Sequence, residues 1–150
     1  MYNEKMKYSL RSPKNKIEFD MYYNFRWEML RKPLKFSKKS SKDNYENISF
    51  HIMAITDDNK IIGCGRTHFS EDNENQIRFM AVKSNFQRKG VGSKILSCLE
   101  KYISRNKGKL VTLNAREDAV NFYLSLGYIK KEKYISKTLI PHFRMIKSLN

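Results

Sequence analysis

The tightest constraint on this chain lies between Ile77 and Gly92. The run Ile77-Arg78-Phe79-Met80-Ala81-Val82 alternates as a strand does, with Ile77, Phe79 and Ala81 expected on one face and Gln76, Arg78, Met80 and Val82 on the other. A short connection leads to Gln87-Arg88-Lys89-Gly90-Val91-Gly92-Ser93, where apolar residues begin to recur at helical spacing. Strand, glycine loop and helix in that order form a phosphate-binding layout. The first turn of a helix presents N–H groups without carbonyl partners and a partial positive charge, and glycine lets an anion approach the backbone. Arg88, Lys89 and Lys94 add mobile positive charge around the loop.

The flanking sequence supplies the rest of an α/β domain. A first strand is expected at Tyr8 to Ser12. A helix follows over Glu18 to Leu30, with Met21, Phe25 and Met29 at four-residue steps and Pro33 as its stop. Lys35 to Asn47 is polar and rich in Ser and Lys, and reads as an exposed loop with room for a short helix. Phe50 to Thr56 and Ile61 to Phe69, joined by Asp57-Asp58-Asn59-Lys60, form a hairpin, and Gln76 to Val82 follows after a second polar loop. Val91, Ile95, Cys98, Leu99, Tyr102 and Ile103 mark an amphipathic helix closed by Gly108. Leu110 to Leu113 is a short buried-type strand, and Ala119, Phe122, Tyr123 and Leu126 are a second helical stripe ended by Gly127. Tyr128 to Lys133 and Phe143 to Ile146 are the last two strands. No repeat or linker divides the sequence, so residues 1–150 are expected to be a single domain with a mixed, mostly antiparallel sheet and helices on both faces.

Three kinds of phosphate loop can be told apart by spacing. A Walker loop needs Gly-Lys followed by Ser or Thr, but Gly92 is followed by Ser93 and then Lys94. A dinucleotide loop needs a third glycine where Ile95 stands, and an acidic residue after a second strand that is missing here. What fits is Gln/Arg-x-x-Gly-x-Gly/Ala, met by Gln87, Gly90 and Gly92, and this resembles the acyl-CoA loop of the GNAT superfamily of N-acetyltransferases. Met80-Ala81-Val82 resembles the end of that family's cofactor strand, and Ala119-Val120-Asn121-Phe122-Tyr123-Leu124-Ser125-Leu126-Gly127-Tyr128 its helix-to-strand segment. Arg26 to Leu34, Leu113-Asn114-Ala115-Arg116 and Ile140-Pro141-His142 resemble features of a bacterial subgroup, so the likeness extends over roughly residues 20 to 147.

The resemblance implies direct transfer of an acetyl group from the thioester of acetyl-CoA to a primary amine of a small molecule or protein. No covalent enzyme intermediate is needed. It places Met80, Ala81 and Val82 beside the pantetheine, with the Met80 N–H aimed at the thioester oxygen. Gln87, Arg88, Lys89, Gly90, Val91, Gly92 and Ser93 would lie around the pyrophosphate, and Gly92→Val would fill phosphate space without harming the fold. Tyr123 matches the tyrosine that protonates the departing thiolate. Arg116 stands where many members have a cofactor-contacting asparagine, and Asn114 or Asn121 could replace it. No base is fixed by the motifs: His68, Glu71, Glu74, His142 and a water chain all stay open. Arg66 and Arg78, on adjacent strands, could hold a substrate carboxylate or serve as ordinary salt-bridge residues. Cys98 falls on the apolar stripe and reads as core.

Thirty Lys and Arg against fifteen Asp and Glu give a net charge of +15, which disfavours polycationic acceptors unless Glu71, Asp72 and Glu74 gather at the site. The same charge supports a second reading, a nucleic-acid-associated protein or a GNAT that acetylates aminoacyl-tRNA. No helix-turn-helix or basic-aromatic stripe accompanies it, so nucleic acid is the weaker partner. A CoA-binding sensor without catalysis is a third. Two cysteines without Cys-x-x-Cys spacing exclude a disulfide framework, and His51, His68 and His142 have no metal-ligand spacing, so no metal is assigned. With no signal-like or membrane-spanning run, the expected location is the cytoplasm. A homodimer stays open.

Overall fold

The alternating apolar segments assemble into one sheet whose two faces are covered by different helices. The computed structural model of the chain describes residues 7–70 and 74–149. Its strands are β1 (Tyr8–Arg11), β2 (Phe50–Thr56), β3 (Ile61–Phe69), β4 (Asn75–Val82), β5 (Leu110–Arg116), β6 (Ile129–Ile135) and β7 (Pro141–Ser148). They lie in the order β1-β2-β3-β4-β5-β7-β6. All neighbours are antiparallel except β4 and β5, because the chain between these two is a crossover through helix α2 (Val91–Arg105). The strands β5, β6 and β7 extend past the sequence expectation, since strand pairing continues where the apolar pattern has already ended.

Alternation along β2 sorts the core into two halves. Ile52 and Ala54 face α2, which buries Val91, Ile95, Leu96, Leu99 and Ile103 against the sheet, while Met53 and Ile55 face helix α1 (Lys16–Leu30). The short helix α3 (Val120–Ser125) adds Val120 and Tyr123 to the α2 side. It ends at Gly127, whose φ of +95° suits glycine, and the Tyr128 amide bonds back to Tyr123 O at 3.1 Å. Cys98 packs at the edge of this core, as its position on the stripe suggested.

The first helix departs from its expected stripe. Asn15 caps it by accepting from the Glu18 amide at 2.9 Å, so it starts at Lys16. Its buried face is Tyr22, Phe25 and Arg26, and Met21 is exposed. A fully buried arginine on a core-facing helix needs counterions, and these come from the segment expected to be an exposed loop. Residues 35–47 instead wrap back in 3-10 turns at Lys38–Ser41 and Glu46–Ile48. Glu46 accepts from Arg26 at 2.9 Å and from the equally buried Arg66 at 2.7 Å. Asp43 accepts from Arg66 at 2.6 Å and from Arg78 at 2.7 Å. The Phe79 ring lies under this cluster, with the Arg26 guanidinium 4.2 Å and that of Arg78 4.5 Å from its centroid.

Phe79 marks a second departure. Cys64 pairs with Ala81 but Arg66 pairs with Arg78, so β4 carries one residue more than β3 opposite Gly65. The φ of Phe79 is +57°, and the extra residue makes a β-bulge. Strict alternation therefore fails. Ile77 packs in the α2-side core and so does Met80, whereas Phe79 turns to the arginines on the α1 side and Ala81 joins the α1-side core. The expectation of Ile77, Phe79 and Ala81 on one face is corrected by this single insertion.

Among the described residues, no helix is long and apolar enough to cross a membrane. Burial pushes the Asp43 carboxyl up, but hydrogen bonds from Arg66 and the Tyr45 amide, with the Arg66 and Arg78 charges, hold it well below its ordinary value of 3.8. Its contribution to stability is thus complete above that value and is lost as the pH falls below it. Removing a partner from buried guanidiniums is costly because it leaves uncompensated charge. Glu46→Ala, which leaves Arg26 without a carboxylate and Arg66 with Asp43 alone, should lower the unfolding free energy by about 3 kcal/mol in urea denaturation; a loss below about 1 kcal/mol would contradict this account of the network.

Candidate functional site

The one parallel junction of the sheet is short. β4 and β5 pair only at Asn75↔Val111 and Gln76↔Thr112. Beyond those rungs the strands part, and a cleft of about 1210 Å³ lies between Ile77–Val82 on one side and Leu113–Arg116 on the other. Single-ligand pockets usually measure some 300 to 1,000 Å³, so a cofactor and a second molecule fit together. The cleft reaches both faces of the sheet. Gly90, Gly92, Phe122 and Tyr123 line it from the α2 and α3 side, and Leu30, Arg31 and Asp43 from the α1 side.

The loop before α2 turns sharply into a bare helix start. Gly90 caps the helix at φ +85° with no side-chain hydrogen bond, and Arg88 is also left-handed at φ +62°. The Lys94 amide makes the first helical bond, to Gly90 O at 3.1 Å, which leaves the amides of Val91, Gly92 and Ser93 without intrahelical acceptors. Gln87 Nε2 donates to Val82 O at 2.9 Å and so ties the loop to the end of β4. An added Cβ at Gly90 would meet nothing within 4 Å. At Gly92 it would meet Phe122 Cζ at 3.2 Å and Val82 Cγ2 at 3.5 Å. A side chain at Gly92 would therefore press on Phe122 of α3, so Gly92→Val bears on helix packing as well as on the loop.

The sequence-derived residues separate into two groups. Met80, Ala81, Val82, Gln87, Arg88, Gly90, Gly92, Ser93, Asn114 and Tyr123 line the cleft. Lys89, Val91 and Asn121 do not. Lys89 is exposed with its ammonium 5.7 Å from the Phe86 ring centroid, the Val91 side chain is buried in the core, and Asn121 is exposed on α3. Tyr123 is nearly buried, edge-on to Phe122 and Tyr128. Its hydroxyl makes no hydrogen bond among the described residues, and burial pushes its pKa up, so it stays protonated at neutral pH.

Among the described residues, one of the candidate bases faces the cleft. His68 Nδ1 accepts from Arg66 Nη2 at 2.9 Å, because a guanidinium only donates, so its lone pair is spent and its proton lies on the buried, unpartnered Nε2. Burial and the Arg66 charge lower its pKa to about 4. Glu74 is paired with Arg144 at 2.8 Å, away from the cleft. Glu71 and Asp72 lie outside the described residues. His142 lines the cleft, and its Nδ1–H donates to Ile140 O at 2.7 Å, which leaves the Nε2 lone pair uncommitted by that bond. Burial lowers its pKa, with Arg116, Arg31 and Arg78 adding to the effect against the Ile140 hydrogen bond. His51 is structural, bonded to Tyr22 and to Glu46 O. Among the described residues no group of three or more metal-ligating side chains comes together.

Of the two readings open for Arg66 and Arg78, Arg66 takes that of a salt-bridge residue, fully buried and paired with Asp43 and Glu46, while Arg78 donates to Asp43 and also lines the cleft. Sequence reasoning missed Arg31, Asp43, Tyr134 near the end of β6, and the β6–β7 connection, whose Ser136, Lys137 and Thr138 also line the cleft. Only Ile140-Pro141-His142 signalled that this connection mattered.

Comparison with known proteins agrees with this architecture. Residues 25–149 match the family model described as an acetyltransferase (GNAT) domain. The uncharacterized N-acetyltransferase YjcF of Bacillus subtilis is 30% identical over 135 residues, which is 89% of this chain and 95% of that protein. Among solved structures, a GNAT-family acetyltransferase of Staphylococcus aureus superposes with a TM-score of 0.78 at 14% identity, covering 96% of this chain and all of the other. An aminoglycoside 6'-N-acetyltransferase complexed with coenzyme A superposes with a TM-score of 0.75 at 15% identity, covering 95% and 97%. A parted parallel junction, a bare helix start beside it and a family match over most of the sequence converge: this chain belongs to the GNAT superfamily of N-acetyltransferases, enzymes that take their acyl group from acetyl-CoA.

Proposed function

We propose that the protein transfers the acetyl group of acetyl-CoA directly to a primary amine of a small molecule or protein, in the cleft between β4 and β5. The observation that carries this reading is the opening itself: β4 and β5 pair over two rungs only, and Met80, Tyr123 and His142 all line the cleft beyond them.

Each residue then has a task set by its position. The pyrophosphate binds the amides at the start of α2, with Arg88 beside it, and the pantetheine runs along Met80, Ala81 and Val82. The extra residue of a bulge leaves its ladder unpaired, so the Met80 N–H is available to the thioester oxygen, and one such donor stabilises a developing oxyanion by about 3 kcal/mol. His142 Nε2 takes the proton from the incoming ammonium. The amine nitrogen attacks the thioester carbon, the C–S bond breaks as the tetrahedral intermediate collapses, Tyr123 donates its proton to the departing thiolate, and the surplus proton on the new amide nitrogen returns to the Tyr123 oxygen. Asn114, on the β5 wall, lines the cleft and is placed for a cofactor contact, while Arg116 donates to Leu30 O at 3.3 Å on the α1 side.

Three outcomes test this reading. Tyr123→Phe should lower kcat about tenfold or more while the Kd for CoA stays within about twofold; an unchanged kcat would remove the acid role. His142→Gln should lower kcat/KM about a hundredfold, and the acidic limb of the unsubstituted enzyme's pH profile should lie below 6.5, the ordinary histidine value, because only the neutral ring accepts a proton. A limb that persists unchanged in His142→Gln would assign the base elsewhere. Gly90→Val forces a side chain into a left-handed conformation at a cost of about 1 to 2 kcal/mol while meeting no neighbour, so it should weaken CoA binding about tenfold or more by calorimetry with only a modest fall in Tm. Tight CoA binding by this variant would refute the loop assignment, and CoA binding without thiol release for any amine would leave a sensor.

A further inference from the structure

The α1 side of the cleft carries a feature that acyl transfer as such does not use. Arg31 follows the last residue of α1 and Arg116 ends β5, yet both donate to one oxygen, the carbonyl of Leu30, at 3.2 Å and 3.3 Å. Both guanidiniums line the cleft. The negative end of α1 helps to hold them there, and Arg31 Nε is further fixed to Ser40 O at 3.2 Å. Among the described residues neither has a carboxylate within ion-pair distance. Asp43, the nearest acid on this wall, is already divided between Arg66 and Arg78, and Asp118, the other acid lining the cleft, pairs with neither. Two like charges held on one acceptor without a counterion is an unfavourable arrangement that a bound oxyanion would relieve. Burial and the Arg78, Arg116 and Arg26 charges accordingly bring the Arg31 pKa down to about 10.

The location bears on what the anion belongs to. The pyrophosphate loop opens α2, on the opposite face of the sheet from α1. Arg31 and Arg116 are on the α1 face, and their charges act on His142, so this site adjoins the residue that would deprotonate the acceptor.

Resting on the acyltransferase reading above, we propose that Arg31 and Arg116 bind an oxyanion of the acceptor itself, so that the substrate is an amine that also carries a carboxylate or a phosphate group. The guanidinium forks give it orientation as well as charge. Free diamines and polyamines are excluded as good acceptors by the same pair.

The test is calorimetric titration of the CoA-saturated protein with matched amines: amino acids, their methyl esters, aminoalkyl phosphates and diamines. An anionic member should bind about tenfold or more tighter than its uncharged counterpart, with the carboxylate and phosphate arms showing which oxyanion is preferred. The double substitution Arg31→Gln, Arg116→Gln should reduce that preference below about threefold and leave CoA affinity within about twofold. Arg116→Gln alone carries the same test if the pair fails to fold, and Arg116→Lys should retain part of the preference. Equal binding of esters or diamines, binding by no member of the series, or a preference that survives the substitutions would overturn the proposal. So would a fall in CoA affinity on substitution, which would assign the arginines to CoA phosphates. Failure of the unsubstituted protein to bind CoA would instead overturn the acyltransferase reading.

Discussion

One extra residue in β4 governs the molecule's chemistry. Parallel pairing of β4 with β5 ends at Gln76, and further along the same strand the bulge at Phe79 takes Met80 out of the β3 register and rotates Phe79 from the core on one face to the charged cluster on the other. The left-handed φ of a phenylalanine costs about 1 to 3 kcal/mol, and what stabilises it is local: the ring is the floor on which Arg26, Arg66 and Arg78 lie.

That cluster links strain to architecture. Arg26 on α1 and Arg66 on β3 are both fully buried, which is tolerable only because Asp43 and Glu46 are brought to them by the turns after α1. The same turns position Ser40 against Arg31 at the cleft rim. Charge compensation in the interior and the shape of the α1-side wall are thus one construction, and a strongly basic chain uses two of its scarce carboxylates to build it.

Much of this order was legible in the sequence, for identifiable reasons. Period-two alternation in β2 and β3 and the apolar stripe of α2 are local signals that packing only reinforces. The strand-to-helix junction before α2 was legible because Gly90 and Gly92 punctuate it. What stayed hidden depended on distant partners. Nothing near Arg26 announces that it will be buried, since its counterion is Glu46, twenty positions on. Nothing in Arg78-Phe79-Met80 announces a bulge, since the irregularity is defined only by the β3 register. Residues 35–47 read as loop because their structure comes from side-chain bonds to arginines elsewhere rather than from any periodicity. Gly92 illustrates a finer point: the sequence singles it out for the loop, and the fold adds that a Cβ there would lie 3.2 Å from Phe122 Cζ.

The central claim is that acetyl-CoA occupies the parted junction of β4 and β5 and engages the backbone there. Hydrogen–deuterium exchange of the purified protein with and without CoA reads those amides directly. Protection confined to the Met80 and Val82 region and to the amides of Val91, Gly92 and Ser93 is the expected result. Unchanged exchange in both segments at saturating CoA, or protection located only elsewhere, would contradict it.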